Sequence, residues 1–349
     1  MPAIGFFDDI KLTQRKAHAV SSWRMMKTVL SPKGFGWLTA PEKDSAMAVA
    51  GSFLGLEEDF SLQVSHSVAI IEPKPDFVKK VSSLLHDALQ TNVLSRQNAR
   101  ALAGLLLRLS MCSSHSCGRG QLNYLHWHAY AESTRVSCEL RLQLELHHAL
   151  MQLGLRREIS LAEHYRPTAV VYTDAACSTA EGTKYPCVTI SYLVLGTGYR
   201  SGGIAQLPER VLDSFDTRKT YIAHGESFAV YWAMICEKPF LHGRSILWFI
   251  DNLGVLSILC KGSAHSVDVG AVCHAGLLTA AHADMRVWWD HVLSGSNCAD
   301  GGSRGCSITA AALNVNLVQR PIPEWPTNAS RIAPCFWLRL LGVEVVGEQ

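Results

Sequence analysis

Short apolar runs alternate with longer segments of helical spacing through the second half of the chain. Runs rich in β-branched and aromatic residues predict strands, and apolar positions that recur every three or four residues predict helices. The predicted strands cover 169–173, 188–195, 203–207, 245–250 and 287–292, and the predicted helices cover 226–236, 253–260 and 267–283. This order predicts an α/β domain over 167–306, with a mixed five-stranded sheet and flanking helices.

The middle of the chain has a mainly helical pattern. Apolar stripes at helical spacing around residues 78–89, 99–106 and 142–153 predict a helical module over 57–166. Gly154 follows the last stripe and is expected to cap its helix. Residues 1–56 predict a small fragment with the order strand, turn, helix and strand. Residues 307–349 are rich in proline near their middle and predict an irregular tail.

Composition narrows the class of protein only a little. The chain has 349 residues, 48% of them hydrophobic, and a formal net charge of +2, which is too small to indicate a nucleic-acid partner by itself. Its eleven cysteines include no Cys-x-x-Cys pair and follow no secretory leader, so we expect reduced thiols in an intracellular protein of the nucleus or cytoplasm. No apolar run is long enough for a membrane helix, so we expect no membrane partner.

Four acidic residues occupy unusual positions in the predicted α/β domain. Asp174 and Asp251 each end an apolar strand, where an unpaired carboxylate is costly. Glu226 shares a helix face with Ala229 and Ala233, the face that must pack on the sheet. Asp300 follows the last predicted strand and could begin a short helix. Each acid taken alone is readily explained as a cap or a surface group, but their order along the chain favours a shared site.

Convergence of these acids would require a cation. Two like charges about 4 Å apart repel by roughly 4 kcal/mol at an effective dielectric constant of 20. Mg²⁺ prefers carboxylate and water ligands, and Mn²⁺ is an alternative. A pair of such ions can activate water and stabilise the leaving oxygen during hydrolysis of a phosphodiester. The pattern therefore favours a metal-dependent nuclease.

The sequence around the four acids resembles the ribonuclease H domain of retrotransposon reverse transcriptases. The matching segments are Tyr172-Thr173-Asp174-Ala175-Ala176, Glu226-Ser227-Phe228-Ala229, Phe249-Ile250-Asp251-Asn252 and Asn297-Cys298-Ala299-Asp300-Gly301-Gly302-Ser303-Arg304. The resemblance implies a ribonuclease H-like fold in which Asp174, Glu226 and Asp251 hold the metal and Asp300 completes a second metal site. It also implies cleavage of the RNA strand of RNA/DNA hybrids, which are recognised through shape and 2′-hydroxyls. Asn252, Ser303 and Arg304 would then contact the substrate.

The start of the chain resembles another part of the same proteins. Phe6-Phe7-Asp8-Asp9 is similar to the aromatic-x-Asp-Asp hairpin of the reverse transcriptase palm, and the helical module is similar to the thumb and connection. The resemblance implies that Asp8 and Asp9 are a vestigial polymerase metal site in a palm remnant over 1–56. Only seven residues precede Asp8, so we expect that this chain does not polymerise by itself.

Three other interpretations stay open at this point. The chain could be a non-catalytic nucleic-acid-binding module, a polymerase by descent, or another nuclease such as an integrase or resolvase. The cysteines and histidines at 112–128 could suggest zinc, but their spacing matches no strong zinc pattern, so we expect a loop and a helix there. The oligomeric state is open.

Overall fold

The computed structural model describes residues 3–6, 9–12, 24–25, 50–53, 55–62, 68–160, 167–178, 184–218, 220–328, 332 and 334–343. The chain divides into two compact units, one formed by 1–72 with 158–161 and the other by 73–157 with 162–349. No helix in the described ranges is long and apolar enough to cross a membrane.

The described residues of the first unit include short strands in two small sheets. Its strands are β1 (Ala3–Phe6), β2 (Asp9–Leu12), β3 (Ala50–Phe53), β4 (Leu56–Asp59), β5 (Val68–Pro73) and β6 (Arg157–Ser160). β1 and β2 form an antiparallel pair, and the other four form a sheet in the order β3-β4-β5-β6. Asp8 lies outside the described residues, and Asp9 begins β2. The predicted boundary at 56/57 falls inside β4, and β4 belongs to the same sheet as β6, which follows the helical module in the sequence.

The predicted helical module is present at the start of the second unit. Its helices are α1 (Pro75–Thr91), α2 (Arg96–Leu109), α3 (Asn123–His128) and α4 (Cys138–Gln152). The hydroxyl groups of Ser95 and Ser137 cap the first turns of α2 and α4. Gly154 lies beyond the end of α4 with φ +81°, a conformation that favours glycine. The helices are confirmed, and the first two predicted stripes lie in their common core, to which α4 contributes Leu140 and Leu144. The third predicted stripe does not join this core: Leu146 and Leu150 belong to the main core of the α/β part, and Leu153 is 50% exposed.

The rest of the second unit is a mixed α/β structure. Its strands are β7 (Ala169–Ser178), β8 (Cys187–Gly196), β9 (Tyr199–Gln206), β10 (Ser245–Ile250), β11 (Arg286–His291) and β12 (Leu317–Gln319). They form one sheet in the order β11-β10-β7-β8-β9-β12. The pairs β11/β10, β10/β7 and β9/β12 are parallel, and β8 is antiparallel to both of its neighbours.

The helices of this part are α5 (Glu209–Leu212), α6 (Ile222–Cys236), α7 (Lys238–Leu241), α8 (Leu253–Lys261), α9 (Val267–His282), α10 (Asp300–Ser303), α11 (Ile308–Ala312) and α12 (Pro334–Leu340). The helices α6 and α10 pack directly on β7 and β8, whereas α12 packs against α4 and α9. Alternate residues of β8 face opposite sides, so Tyr192 and Val194 join the main core while Leu193 packs against α11. The helices α6 and α9 are apolar around most of their circumference because both lie in the main core.

Two predictions about this part of the chain are wrong. The sheet has six strands rather than five, because β12 pairs with β9. The tail predicted to be irregular over 307–349 contains α11, β12 and α12, and its Trp325 and Trp337 belong to the main core. A strand as short as β12 carries too little pattern to be found in the sequence, and its position depends on pairing with β9.

Candidate metal centre

The register of β7 and β10 explains how two acids that are distant in sequence lie side by side. Tyr172 pairs with Phe249 in the parallel ladder. Asp174 follows Tyr172 by two residues, and Asp251 follows Phe249 by two residues. The two aspartates therefore occupy corresponding positions on neighbouring strands. Paired positions on neighbouring strands point to the same face of a sheet. The two acids therefore converge because their strands are parallel and in this register.

The third acid, Glu226, belongs to helix α6 and lies next to the two aspartates. It lies in the second turn of α6, and the residue before it, Gly225, contacts the sheet directly. A β-carbon built on Gly225 would lie only 2.7 Å from a side-chain carbon of Val188 and 2.8 Å from the β-carbon of Ala175. The absence of a side chain at Gly225 therefore lets α6 approach β7 and β8. This close approach brings Glu226 to the two aspartates.

The three acids form a compact cluster, in which Asp174 and Glu226 are buried and Asp251 is partly buried. Asp174, Glu226 and Asp251 each offer one oxygen, and these oxygens all lie within 4.8 Å of one another. Asp174 is 2% exposed and Glu226 is 3% exposed. Oε2 of Glu226 and Oδ1 of Asp251 are buried and have no hydrogen-bond partner. Buried, unpaired carboxylate oxygens are costly, and a cation among them would satisfy both atoms, so the residues fit a metal ion.

The pKa values of two of the acids show the electrostatic cost of this arrangement. Burial raises the pKa of Asp174 to about 6, and the nearby charges of Asp251 and Asp300 act in the same direction. A hydrogen bond from Ser303 partly opposes these effects. Burial also raises the pKa of Glu226 well above its ordinary value, with further contributions from Asp174 and Asp251. Without a cation, the negative charges of these buried carboxylates therefore lack sufficient compensating charge.

A segment near the end of the α/β region contacts Asp174. The side-chain amide of Asn297 donates to Oδ1 of Asp174 at 3.1 Å and to the carbonyl of Thr173 at 3.0 Å. The Ser303 hydroxyl donates to the other oxygen, Oδ2 of Asp174. The role of Asn297 was not predicted from the sequence, although its place at the start of the Asn-x-Ala-Asp segment is a signal that could have identified it.

Asp300 lies beside the cluster rather than within it. It is not one of the acids whose oxygens come within 4.8 Å of one another, but its charge contributes to the raised pKa values of Asp174 and Glu226. Oδ1 of Asp300 accepts a hydrogen bond from Nε of Arg304 at 2.7 Å. The Arg304 side chain is 65% exposed. Of the four predicted acids, three thus come together, and the fourth forms an ion pair at the rim.

Two other residues near the cluster have structural contacts. Asn252 caps α8, because its side-chain oxygen accepts from the amide of Val255 at 3.1 Å. A ring nitrogen of His291 lies 3.2 Å from the carbonyl oxygen of Asp251. The first contact occupies one polar atom of Asn252, and the prediction that this residue contacts a substrate stays a prediction.

A second buried acid, Asp268, is a member of a hydrogen-bonded network. It accepts from His224 at 2.8 Å and from Arg218 at 3.0 Å, and Ser266 also donates to it. Burial acts to raise the pKa of Asp268, but these hydrogen bonds hold that pKa well below its ordinary range. Because Asp268 is at the start of α9 and His224 is in the first turn of α6, the network fixes the beginnings of two core helices.

The cysteine and histidine segment at 112–128 does not form a comparable centre. A ring nitrogen of His115 contacts the carbonyl of Met285 at 2.7 Å, and one of His128 contacts the carbonyl of Leu94 at 2.7 Å. In the part of the chain that the structure describes, no other group of three or more histidine, cysteine, aspartate or glutamate side chains meets as the three acids do. The cluster of Asp174, Glu226 and Asp251 is therefore the best candidate for a functional site.

Comparison with known proteins adds no family to this description. No protein-family model matches the chain, and no curated protein matches it. The function must therefore be inferred from the α/β fold and from the buried acid cluster that could hold a metal ion.

Proposed function

We propose that this chain is a metal-dependent nuclease with a ribonuclease H-like domain, related to the reverse transcriptases of retrotransposons. The observation that carries the proposal is the meeting of Asp174, Glu226 and Asp251, three acids from distant parts of the sequence, with two buried oxygens left unpaired. Their order along the chain, from strand to helix to strand, is also the order of the motifs that the sequence shares with that family.

Mg²⁺ is the cation that we propose for the site, and Mn²⁺ is a suitable substitute. All three donors are carboxylates, which hard divalent cations prefer over softer metals. When bound, such an ion supplies Lewis-acid activation of water and of the phosphodiester. The role of Asp174, Glu226 and Asp251 is to hold the ion in a site shielded from bulk water. The charge of Asp300 acts on the pKa values of Asp174 and Glu226, and we propose this acid as a further oxygen ligand at the edge of the site.

The proposed substrate is an RNA/DNA hybrid, whose RNA strand would be cut. This class of substrate comes from the resemblance of the four acidic motifs, and the charge at the rim supports it. Arg304 is largely exposed beside Asp300, so a cationic group is available to a phosphate next to the acids. Asn252, at the start of α8, lies directly after Asp251 in the chain and is a further candidate contact.

The test is cleavage of a labelled RNA/DNA hybrid in Mg²⁺. We expect the wild-type chain to cut the RNA strand, and we expect Asp174→Asn and Glu226→Gln to reduce the rate at least about 100-fold, because each removes a charge from the metal site. Asp213→Asn is a matched control, since Asp213 is a partly exposed acid that bonds Lys184 and Tyr185 rather than the cluster. Its rate should equal that of the wild type.

Each alternative gives a different result in this assay. Hybrid binding without cleavage by the wild type would favour a non-catalytic binding module. Cleavage of duplex DNA in preference to the hybrid would favour another nuclease class. Cleavage that is unchanged in Asp174→Asn would exclude the acid cluster as the active site.

A further inference from the structure

Both carboxylate oxygens of Asp174 are held by a single short segment of the chain. Asn297 donates to Oδ1 at 3.1 Å, and Ser303 donates to Oδ2. Asn297 is 5% exposed and Ser303 is 4% exposed, so neither donor is open to solvent. Glu226 and Asp251 each keep one buried oxygen unpaired, whereas Asp174 is fixed on both sides.

The Ser303 hydroxyl has one proton and two acceptors within reach. Besides Asp174, it lies 2.9 Å from the carbonyl oxygen of Asp300. Hydrogen bonds to a charged acceptor are roughly twice as strong as those to a neutral one. The Ser303 hydroxyl therefore donates to the carboxylate of Asp174 in preference to the carbonyl of Asp300. Ser303 therefore restrains the position of Oδ2 of Asp174.

The segment that carries the two donors is itself fixed on the sheet. The amide of Asn297 also donates to the carbonyl of Thr173, and the Ser191 hydroxyl donates to the carbonyl of Ala299 at 2.5 Å. A β-carbon on Gly302 would lie 3.0 Å from the Ser191 side chain, so the segment packs closely on β8. These contacts hold the donors of Asn297 and Ser303 at fixed positions relative to Asp174.

We propose that Asn297 and Ser303 are positioning residues, which orient the Asp174 carboxylate so that it can share a cation with Glu226 and Asp251. The assignment rests on the proposed function for its metal. It gives Ser303 a role different from the substrate contact that the sequence resemblance implies. Loss of a buried hydroxyl that donates to a metal ligand should weaken the binding of the cation, whereas loss of a substrate contact should weaken the binding of the nucleic acid.

The proposal predicts a loss of metal affinity when the donor is removed. Loss of a hydrogen-bonding partner of a metal ligand typically weakens binding by roughly 10–100-fold. Ser303→Ala should therefore raise the Kd for Mn²⁺ by about that factor. Ser303→Thr keeps the hydroxyl and should bind Mn²⁺ nearly as well as the wild type. Ser214→Ala is the matched control, because Ser214 is also buried but bonds Val211 and Trp325 instead of an acid.

The experiment is calorimetric titration of the full chain with Mn²⁺ alone, accompanied by the Tm of each variant and by the affinity for RNA/DNA hybrid in EDTA. Of the three variants, we expect only Ser303→Ala to bind Mn²⁺ more weakly than the wild type. The Tm of Ser303→Ala should be no lower than that of Ser214→Ala. Its affinity for the hybrid should equal that of the wild type. Unchanged Mn²⁺ affinity in Ser303→Ala would overturn the proposal, as would a loss confined to hybrid affinity. Weakened Mn²⁺ binding in Ser303→Ala, combined with a wild type that cuts no hybrid, would support the positioning role and refute the nuclease.

Discussion

Gly225 and Ala175 are in such close contact that a β-carbon on the glycine would lie 2.8 Å from the β-carbon of the alanine. Gly225 belongs to α6 and Ala175 to β7, so this contact sets the distance between the helix and the sheet. Each of the two residues is adjacent to a metal-site acid, Glu226 and Asp174 respectively. The separation of these two acids therefore depends on a glycine.

The first prediction concerns Gly225→Ala. The added methyl group would displace α6 from the sheet, so we expect a loss of about 1–3 kcal/mol in the free energy of unfolding and at least about tenfold weaker Mn²⁺ binding. Gly104→Ala is the matched control, since Gly104 also lies in a helix but has open space where its β-carbon would be. That change should stabilise the protein by about 0.5–1 kcal/mol. Urea unfolding and Mn²⁺ titration measure both effects, and equal behaviour of the two variants would contradict the role of the contact.

The second prediction concerns the pH dependence of stability without metal. The pKa of Asp174 is raised from 3.8 to about 6 in the folded protein, so the folded state binds more protons than the unfolded state between these values. The contribution of Asp174 to the free energy of unfolding is fully present below pH 3.8 and is lost as the pH rises through about 6. The pKa of Glu226 is shifted in the same direction, so this group adds to the loss of stability as the pH rises. We therefore expect the free energy of unfolding to fall between pH 5 and pH 7 in EDTA.

Two comparisons test the source of that pH dependence. Glu226→Gln should raise the free energy of unfolding in EDTA at pH 7 by about 1–3 kcal/mol, because it removes a buried charge whose Oε2 has no hydrogen-bond partner. Saturating Mn²⁺ should reverse the slope for the wild type, since the cation binds the deprotonated acids. A destabilised Glu226→Gln protein, or a slope that Mn²⁺ leaves unchanged, would contradict the electrostatic description of the cluster.

The third prediction concerns the end of the chain. Trp325 is 5% exposed, makes T-shaped contacts with the rings of Phe228 and Tyr231 at centroid distances of 5.5 and 5.7 Å, and donates to Ser214. Trp325→Ala should lower the free energy of unfolding by about 3–5 kcal/mol. Trp288→Ala is the control, because Trp288 is 64% exposed and should cost less than about 1 kcal/mol. Similar losses for both in urea unfolding would show that the segment after 306 is not part of the folded core.

Strands and helices of the α/β region could be predicted from the sequence because their apolar patterns are strong. Asp174 and Asp251 were found in the same way, since a carboxylate at the end of an apolar strand is conspicuous. Their meeting depends on the register Tyr172 to Phe249, which follows once the two strands are known to be parallel neighbours. The order of motifs was thus enough to group three of the acids.

Other parts of the site depend on contacts that no local pattern records. The need for glycine at position 225 follows only from the contact of α6 with Ala175. Ser303 was predicted to contact the substrate, whereas its hydroxyl is buried against Asp174. The strand β12 is too short to show a period, and it becomes a strand only by pairing with β9. These features depend on packing and strand pairing between residues that are distant in the sequence, so no local sequence pattern predicts them.

The most direct test of the central claim is anomalous X-ray scattering from crystals of the wild-type chain soaked in Mn²⁺. A metal site at the acid cluster predicts an anomalous peak bounded by the carboxylates of Asp174, Glu226 and Asp251, and no peak there in Asp174→Asn crystals prepared in the same way. Wild-type crystals that bind Mn²⁺ elsewhere but show no peak among these three acids would contradict it.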